Sequence, residues 1–294
     1  MRIFVTGASG WIGSAVVPEL IGAGHQVLGL ARSDASAKAI ADLGADVLRG
    51  DLTDTGSLRA GALDSDGVIH LAFIPGRPGF EAAVRADAAA IETLAASLAG
   101  SGKPLLVSGA TIVTPGRPST ERDELIPQGP VAARISNMRS ALAAADRDVR
   151  VCLVMLPRSV HGQGDRHGFV PQLIAMARAK GVSGYLGDGA TRWPAVHVKD
   201  AARLYRLAVE QAPAGSVLNA VGDEGVPVRA VAEAIGRNLN LPARSLPAEE
   251  YGGMLVPLLT TDMPASSTIT RHLLGWHLTH PGLIEDIDHG HYFN

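Results

Sequence analysis

Three glycines near the start of the sequence, Gly7, Gly10 and Gly13, constrain this chain more than any other feature. They follow an apolar run typical of a β-strand (Ile3 to Thr6) and precede a helix-forming run (Trp11 to Gly22). At a strand-to-helix turn, glycines let the backbone approach phosphates, and the helix N-terminus favours negative charge. The spacing alone is weak evidence, because the chain contains 34 glycines. Its position at the start of a βαβ unit predicts a dinucleotide-binding turn rather than a turn without a ligand.

Strand-like and helix-like segments continue to alternate through the first half of the chain. Further apolar runs of β type are Gln26 to Ala31, Asp46 to Leu48, Gly67 to Leu71, Pro104 to Ser108 and Val149 to Leu156. This alternation is typical of an α/β fold with a Rossmann-type, doubly wound parallel sheet. The ligand crevice of such a sheet lies at the carboxyl ends of its strands.

The alternation loosens after Leu156, which predicts a second and smaller unit. We assign residues 1–157 and 195–222 to a dinucleotide-binding domain, because Ser216 to Ala220 is a further strand that rejoins the sheet. Residues 158–194 and 223–294 are assigned to a discontinuous substrate-binding lobe, with helices expected at Pro171 to Lys180 and Pro227 to Asn238. This lobe is expected to close over the crevice.

The composition favours a small-molecule ligand over a macromolecular one. The chain has 294 residues, 46% of them hydrophobic, and a net charge of -3. No basic stretch offers the electrostatic footprint of nucleic-acid or membrane binding. No apolar run approaches the roughly 18 residues that cross a bilayer. The single cysteine, Cys152, lies in an apolar run, as expected of an inert thiol in a reducing cytoplasm. No residues are assigned to a metal site.

The end of the second predicted strand indicates which cofactor binds. An acidic residue there would bind the 2'-hydroxyl of NAD, but the position is occupied by Ala31. Arg32 and Ser33 follow, and a guanidinium beside a hydroxyl suits a 2'-phosphate. We therefore expect NADP(H). Two alternatives stay open, because Arg32 could be a solvated surface residue and Asp34 could serve NAD.

Several motifs together resemble those of the extended short-chain dehydrogenases/reductases, which are NAD(P)-dependent and epimerase/dehydratase-like. The motifs are TGASGWIG at the N-terminus, Gly50-Asp51-Leu52, His70-Leu71-Ala72, VHGQGD at 160–165, VHVKD at 196–200 and Leu274-Gly275-Trp276. They span nearly the whole chain.

The resemblance implies a set of cofactor-binding positions. They are Gly7, Ser9, Gly10, Trp11, Ile12, Gly13, Arg32, Ser33, Asp51, Leu52, Leu71, Ala72, Phe73, Pro157 and Ser159. Asp51 is implied at the adenine, Leu71 and Ala72 near the nicotinamide ribose, and Pro157 and Ser159 on the nicotinamide side. Asp51 could also be a helix-capping carboxylate just before Thr53, and this role is compatible with binding the adenine.

The chain departs from this family at the proton-transfer pair, a Tyr followed four residues later by Lys. The four tyrosines are Tyr185, Tyr205, Tyr251 and Tyr292, and none has that spacing. If Pro130 is the proline that often precedes the family's Tyr, then Val131 and Ile135 occupy the two positions. The serine expected after the fifth strand is replaced by Ala110, although Ser108 and Thr111 retain hydroxyls nearby.

Another group must therefore supply the proton, or the substrate must need little help. We select His161 as the candidate donor, because imidazole titrates near neutral pH, against the alternative of a packing residue. Ser108 and Thr111 are candidates to polarise a carbonyl. Substrate contacts are expected from Arg158, Trp193 and His197. An apolar, aromatic or cyclic ligand is expected, packed by Phe73, Ile74, Pro75, Val160, Phe169, Trp193 and Pro194.

Three functions fit these residues. The first is an NADP(H)-dependent oxidoreductase that reduces a small carbonyl, imine or enone compound without a Tyr-Lys pair. The second is a nucleotide-sugar epimerase or dehydratase, and the third is a non-catalytic NADP-sensing protein. We also expect a homodimer through Ala-rich helices at Gly79 to Leu98 and Val131 to Asp146, unless their small residues are buried within one monomer.

Overall fold

The computed structural model describes residues 1–73, 79–251 and 255–294. Its strands are, in chain order, β1 (Arg2–Thr6), β2 (Gln26–Ala31), β3 (Asp46–Arg49), β4 (Gly67–His70), β5 (Pro104–Ala110), β6 (Arg150–Leu156), β7 (Ser159–His161), β8 (Ser183–Tyr185), β9 (Arg192–His197), β10 (Ser216–Asn219), β11 (Asp223–Pro227) and β12 (Ala243–Ser245).

The helices cover most of the intervening chain. They are α1 (Gly13–Gly22), α2 (Asp34–Asp42), α3 (Thr55–Leu63), α4 (Phe80–Leu98), α5 (Ala132–Leu142), α6 (Phe169–Lys180), α7 (Val198–Gln211), α8 (Val228–Leu239), α9 (Leu255–Thr260), α10 (Thr268–Leu274) and α11 (Leu283–Asp288). The helix expected over Val131 to Asp146 is shorter than predicted, because the chain tightens into a 3-10 turn at Ala143–Arg147 after α5.

Seven strands form one parallel sheet in the order β10-β6-β5-β4-β1-β2-β3. The order reverses at β1, whose Val5 pairs with Gly29 of β2 on one side and Ile69 of β4 on the other. The predicted doubly wound α/β fold is confirmed. This reversal point is where such sheets bind ligands, so it positions the site described below.

Helices cover both faces of the sheet, and each face has its own core. Side chains alternate across a strand, so Val5 of β1 packs against α1 and α7 while its neighbour Phe4 packs against α3. Trp276 lies fully buried in the first core and donates its indole N–H to the Asp200 carbonyl. Both faces are apolar, as buried parallel strands require.

A smaller unit starts directly after β6. Strands β11, β9 and β7 form a three-stranded sheet, and β12 pairs with β8. A third core that includes Val170, Trp193 and Leu283 supports them. The large sheet takes its strands from residues 2–156 and 216–219. The smaller sheets take theirs from residues 159–197 and 223–245. The exact domain boundaries stay a prediction.

Two further observations concern the environment of the chain. Within the described ranges, no helix combines the length and apolarity that crossing a membrane requires. Cys152 is buried in β6, and burial raises the pKa of its thiol to about 11. This thiol is therefore protonated at neutral pH.

Candidate functional site

The glycine turn after β1 is built so closely that side chains do not fit. Gly7 has a φ of +72°, and a Cβ there would lie 2.9 Å from the Ala72 nitrogen. The Gly10 amide donates to the Gly7 carbonyl at 2.9 Å, which closes the turn. A Cβ on Gly13 would overlap the carbonyl oxygen of Gly7 and lie 2.7 Å from the backbone of Ala8. These glycines let the start of α1 press against β1 and β4.

The N-terminus of α1 offers backbone donors to an anion. The helix begins at Gly13, after the N-cap residue Ile12. Within the described residues, no side chain caps this end of the helix, and its first turn contains no acidic residue. The N–H groups of the first turn of a helix have no partner inside the helix. Together with the helix dipole they favour a bound phosphate. The geometry therefore fits the pyrophosphate of a dinucleotide.

A groove of about 370 Å³ extends from this turn along the carboxyl ends of β1 to β4. It is lined by Gly7, Ser9, Gly10, Trp11, Ile12, Gly13, Leu30, Arg32, Ser36, Gly50, Asp51, Leu52, Leu71, Ala72 and Phe73. The structure thus brings together every expected cofactor residue except Ser33, Pro157 and Ser159. It adds Leu30, Ser36 and Gly50. Gly50 belongs to the Gly50-Asp51-Leu52 motif, whereas no motif marked Leu30 or Ser36.

The three residues outside the lining set have other environments. The Ser33 hydroxyl caps α2 by accepting the Ser36 amide hydrogen at 3.1 Å. Pro157 and Ser159 are both buried in the connection from β6 to β7. Trp11 links the groove to this connection, since its indole N–H donates to the Val160 carbonyl at 2.8 Å.

The adenosine end of the groove carries one exposed cation, Arg32. Its acidic neighbour Asp34 forms an ion pair with Arg49. Asp51 accepts hydrogen bonds at 2.9 Å from the amide and from the hydroxyl of Thr53, while α3 is capped by Asp54. Asp51 therefore stabilises the turn before α3 and lines the groove at the same time.

A buried polar network lies beneath the opposite end, at the carboxyl ends of β1 and β4. Thr6 accepts the Ala72 amide hydrogen at 3.3 Å, and its oxygen lies 2.8 Å from Nδ1 of His70. The other ring nitrogen of His70, Nε2, faces Asp87 at 3.4 Å from a carboxylate oxygen. Asn137 donates to the other Asp87 oxygen at 2.8 Å. These contacts hold the Asp87 carboxylate in a fixed orientation.

Arg134 joins this network to the groove, and the sequence motifs did not mark it. Its Nη1 lies 3.3 Å from Asp87, and its Nη2 donates to the Ser108 carbonyl at 3.0 Å. Burial opposes ionisation of Asp87, but His70 and Arg134 outweigh it and lower the pKa of this carboxyl. The guanidinium also covers the ring of Phe73, which lines the groove. A charged side chain therefore lies against the groove wall.

Ser108, near the end of β5, and Thr111, directly after β5, have hydroxyls with different surroundings. Ser108 donates to the His70 carbonyl at 2.9 Å, and its oxygen lies 2.7 Å from the Tyr205 hydroxyl. The Thr111 hydroxyl is buried and has no hydrogen-bond partner within the described residues. Ser108 is thus engaged by the protein, whereas Thr111 has a donor to offer. Tyr205 is fully buried, and burial raises the pKa of its hydroxyl.

His161, Trp193 and His197 do not line the groove. His161 is 0% exposed, and its Nδ1 lies 2.8 Å from Asp286. Trp193 is also 0% exposed and donates its indole N–H to the Leu258 carbonyl in the core of the smaller unit. In this conformation, buried side chains with these partners do not reach a ligand in the groove. This placement favours the packing role for His161, and it does not support the expected substrate contact of Trp193, which stays a prediction.

His197 belongs to a cluster of three imidazoles in which His161 and His197 are buried and His280 is partly exposed. Its Nδ1 accepts the Lys199 amide hydrogen, its ring stacks on His280 with 4.5 Å between centroids, and His161 meets its edge at 5.5 Å. Burial, followed by the charges of His161 and His280, lowers the pKa of His197 to about 4. A neutral, buried His197 is a packing group rather than a substrate contact.

Of the apolar residues expected around the ligand, Ile74 and Pro75 lie outside the described residues.

Comparison with known proteins agrees with this geometry. The model of the NAD dependent epimerase/dehydratase family matches residues 3–220. An uncharacterized protein of Saccharomyces cerevisiae is 44% identical over 293 residues, which cover 98% of each chain. The 4-hydroxy-2-methyl-3-oxo-4-farnesyl-3,4-dihydroquinoline-1-oxide ketoreductase of Stigmatella aurantiaca is 29% identical over 74% of this chain and 67% of its own. The structure of MoeE5 in complex with UDP-glucuronic acid and NAD has a TM-score of 0.77 and 25% identity, covering 98% of this chain and 96% of that one.

Proposed function

The chain belongs to the NAD dependent epimerase/dehydratase family of NAD(P)-dependent oxidoreductases, and from this premise we propose that it is an NADP(H)-dependent reductase of a small carbonyl, imine or enone compound. The observation that carries the proposal is the groove, with Arg32 at one end and Arg134 against its wall at the other. When bound, the cofactor supplies a hydride to the substrate carbon, and the substrate takes up one proton. The protein positions the two reactants and stabilises the developing charge.

The choice of NADP(H) is supported at the adenosine end. No acidic residue follows β2 directly, since Ala31 ends the strand and Arg32 comes next. Asp34, the residue that could have served NAD, is paired with Arg49. Arg32 and Ser36 both line the groove and offer a guanidinium and a hydroxyl to a 2'-phosphate.

The catalytic group that we propose in place of the Tyr-Lys pair is Arg134. Val131, at the expected Tyr position, is 50% exposed and apolar, and Ile135 is packed in the core. Between them on α5, Arg134 is held by Asp87 and the Ser108 carbonyl. A fixed cation stabilises the negative charge that develops on the substrate oxygen without moving a proton.

Thr111 is the hydroxyl that we propose to polarise the substrate, because its donor has no other partner within the described residues. Ser108 supports Arg134 through its carbonyl rather than acting on the ligand through its hydroxyl. Thr111 donates a hydrogen bond to the substrate, and solvent water supplies the proton that balances the hydride. An iminium or an enone substrate would need this help least, since the cation or the extended π system takes up the electrons.

Nucleotide-sugar epimerisation or dehydration is less well supported. That chemistry must remove a hydroxyl proton reversibly, and neither Val131 nor Ile135 can accept one. Arg192, which could have met a diphosphate, is held by Asp262 at 2.8 Å. The name of the Stigmatella ketoreductase also favours the reduction of a ketone.

We further propose a homodimer through α4 and α5. Their outer surfaces present small residues, including Ala89 and Ala96 on α4 and Ser136 and Ser140 on α5, to solvent. Small side chains let helices of two subunits approach closely. Light scattering at micromolar concentration should give twice the 30.4 kDa mass of the chain, and a monomer would count against this interface.

The direct test of the reductase is NADPH consumption with a panel of aldehydes, ketones, cyclic imines and enones. We expect at least one class to be turned over, with NADPH used in preference to NADH. Tight NADPH binding without turnover of any compound would instead indicate the NADP-sensing protein.

A further inference from the structure

Arg158 has an environment that arginines rarely occupy. It lies two residues beyond β6, at the sheet edge where the Thr111 amide bonds to the Leu156 carbonyl. Its Nη2 contacts the Met263 sulfur at 2.7 Å, and its Nε is buried without a hydrogen-bond partner within the described residues. The ring of Phe169 lies 6.0 Å away. A thioether is a weak acceptor, so neither Nε nor Nη2 has a strong acceptor within the described residues.

Two other partly buried arginines of this chain have acceptors within the protein. Arg150 donates to three backbone carbonyls at the end of α7. Arg206 pairs with Glu19 and Glu210. In each case the protein supplies the acceptors that a guanidinium requires. Arg158 is an exception to this pattern.

The missing partner of Arg158 is not an acidic residue elsewhere in the chain. No carboxylate lies within 4.0 Å of it in the described ranges, and residues 74–78 and 252–254 contain neither Asp nor Glu. Burial lowers the pKa of Arg158, yet a guanidinium keeps its proton at neutral pH. A partly buried charge without a counterion is unfavourable, so the position of Arg158 points to a ligand that supplies the counterion.

We propose that Arg158 binds a carboxylate of the substrate, so that the compound reduced is a small oxo acid or unsaturated acid. The inference rests on the proposed reductase function and specifies its substrate class. The planar fork of a guanidinium matches a carboxylate through two parallel hydrogen bonds. Phe169 and Met263 beside it would pack against an apolar remainder of the molecule.

A phosphate or diphosphate fits this position less well. Arg158 is a single cation in apolar surroundings, whereas a diphosphate carries several charges. Arg192 already neutralises Asp262, and Arg166 is exposed. A carboxylate leaves no excess charge on either side.

The first test measures stability and needs no substrate. Arg158→Met keeps an unbranched apolar stem but removes the guanidinium and its charge, so without ligand its melting temperature should rise by about 2 °C or more. Arg166→Met, which changes an exposed arginine of the same segment, is the matched control and should melt like the natural protein. A lower melting temperature for Arg158→Met would show that the guanidinium serves the fold and would overturn the proposal.

The second test measures binding by calorimetry, with and without NADPH. Benzoate, octanoate and benzoylformate are each compared with the corresponding amide. At least one carboxylate should bind about tenfold more tightly than its amide, and Arg158→Gln should abolish that difference while Arg166→Gln keeps it. If no carboxylate is preferred, or if the preference survives in Arg158→Gln, the proposal fails. Neither readout depends on turnover, so failure of the reductase function is recognised separately, by the absence of NADPH consumption.

Discussion

The guanidinium carbon of Arg134 lies 3.8 Å from the centroid of the Phe73 ring. Phe73 lines the cofactor groove, and Arg134 is anchored from behind by Asp87 and the Ser108 carbonyl. Cation–π contact and ion pairing together fix the guanidinium at the groove wall. A charge held in this way needs no rearrangement during the reaction, which is the condition for strong electrostatic stabilisation.

Replacing Arg134 with Gln should lower kcat by about 100-fold, because the charge that stabilises the substrate oxygen is removed. NADPH binding should change little. Arg139→Gln, on the exposed surface of the same helix, is the control. Added guanidinium ion should restore part of the kcat of Arg134→Ala, which a loss of structure would not allow. Steady-state kinetics equal to those of Arg139→Gln would remove Arg134 from the mechanism.

Thr111 and Ser108 should respond in opposite ways to loss of their hydroxyls. Thr111→Val removes a buried group without a described partner, so stability should hold or rise while kcat falls about tenfold or more. Ser108→Ala breaks contacts with His70 and Tyr205 and should cost about 1 to 2 kcal/mol. Urea unfolding together with kinetics separates the two. A fully active but less stable Thr111→Val would contradict its role towards substrate.

The two ends of α1 provide a matched pair of glycine substitutions. Gly13→Ala should abolish measurable NADP binding, because the new Cβ overlaps the Gly7 carbonyl and pushes α1 from the turn. Gly22→Ala, where a Cβ meets nothing within 4 Å, should bind NADP normally and gain up to about 1 kcal/mol of stability. Calorimetric titration measures both. Unchanged affinity in Gly13→Ala would mean that this turn does not hold the pyrophosphate.

Arg32→Ala should weaken NADP binding by about 10- to 100-fold, the value of lost charge-assisted hydrogen bonds, and leave NAD binding nearly unchanged. Lys38→Ala on α2, which loses only the exposed pair with Asp42, is the control. Affinities for both cofactors come from the same titrations. Equal losses for NADP and NAD, or a natural preference for NAD, would refute the cofactor assignment.

His197 should make the fold sensitive to acid. Its ordinary pKa of 6.5 falls to about 4 in the folded state, so the unfolded chain binds more protons between these values. Stability is therefore kept above pH 6.5 and lost as the pH falls towards 4, by up to about 3 kcal/mol. His197→Gln should lose less between pH 7 and pH 4.5 in urea unfolding. The exposed His272→Gln should behave like the natural protein, and an equal loss in His197→Gln would contradict this assignment.

The cofactor groove could be predicted from sequence because its parts are local. Gly7 and Arg32 each follow a strand directly, Asp51 lies two residues after β3, and Gly13 begins the helix that follows β1. Parallel strands bring their carboxyl ends to one edge of the sheet. Once the βαβ order is known, these residues are therefore expected at the same edge of the sheet.

The other half of the site depends on contacts between distant segments. His70, Asp87 and Arg134 meet only because α4 and α5 pack beside β4 and β5, which no motif encodes. His161 and Trp193 were expected to face the ligand. Successive side chains of a strand point to opposite faces of the sheet, so an error of one position in the expected register reverses the direction of a side chain. Both point into buried clusters instead.

Hydride transfer is tested most directly with NADPH that carries deuterium at both C4 positions, an oxo acid as the acceptor, and mass spectrometry of the product. The natural protein should form a hydroxy acid that carries one deuterium, and Arg134→Gln should form much less of it. Absence of deuterated product from every oxo acid, ketone, imine and enone, while NADPH binds tightly, would contradict the proposed reductase function.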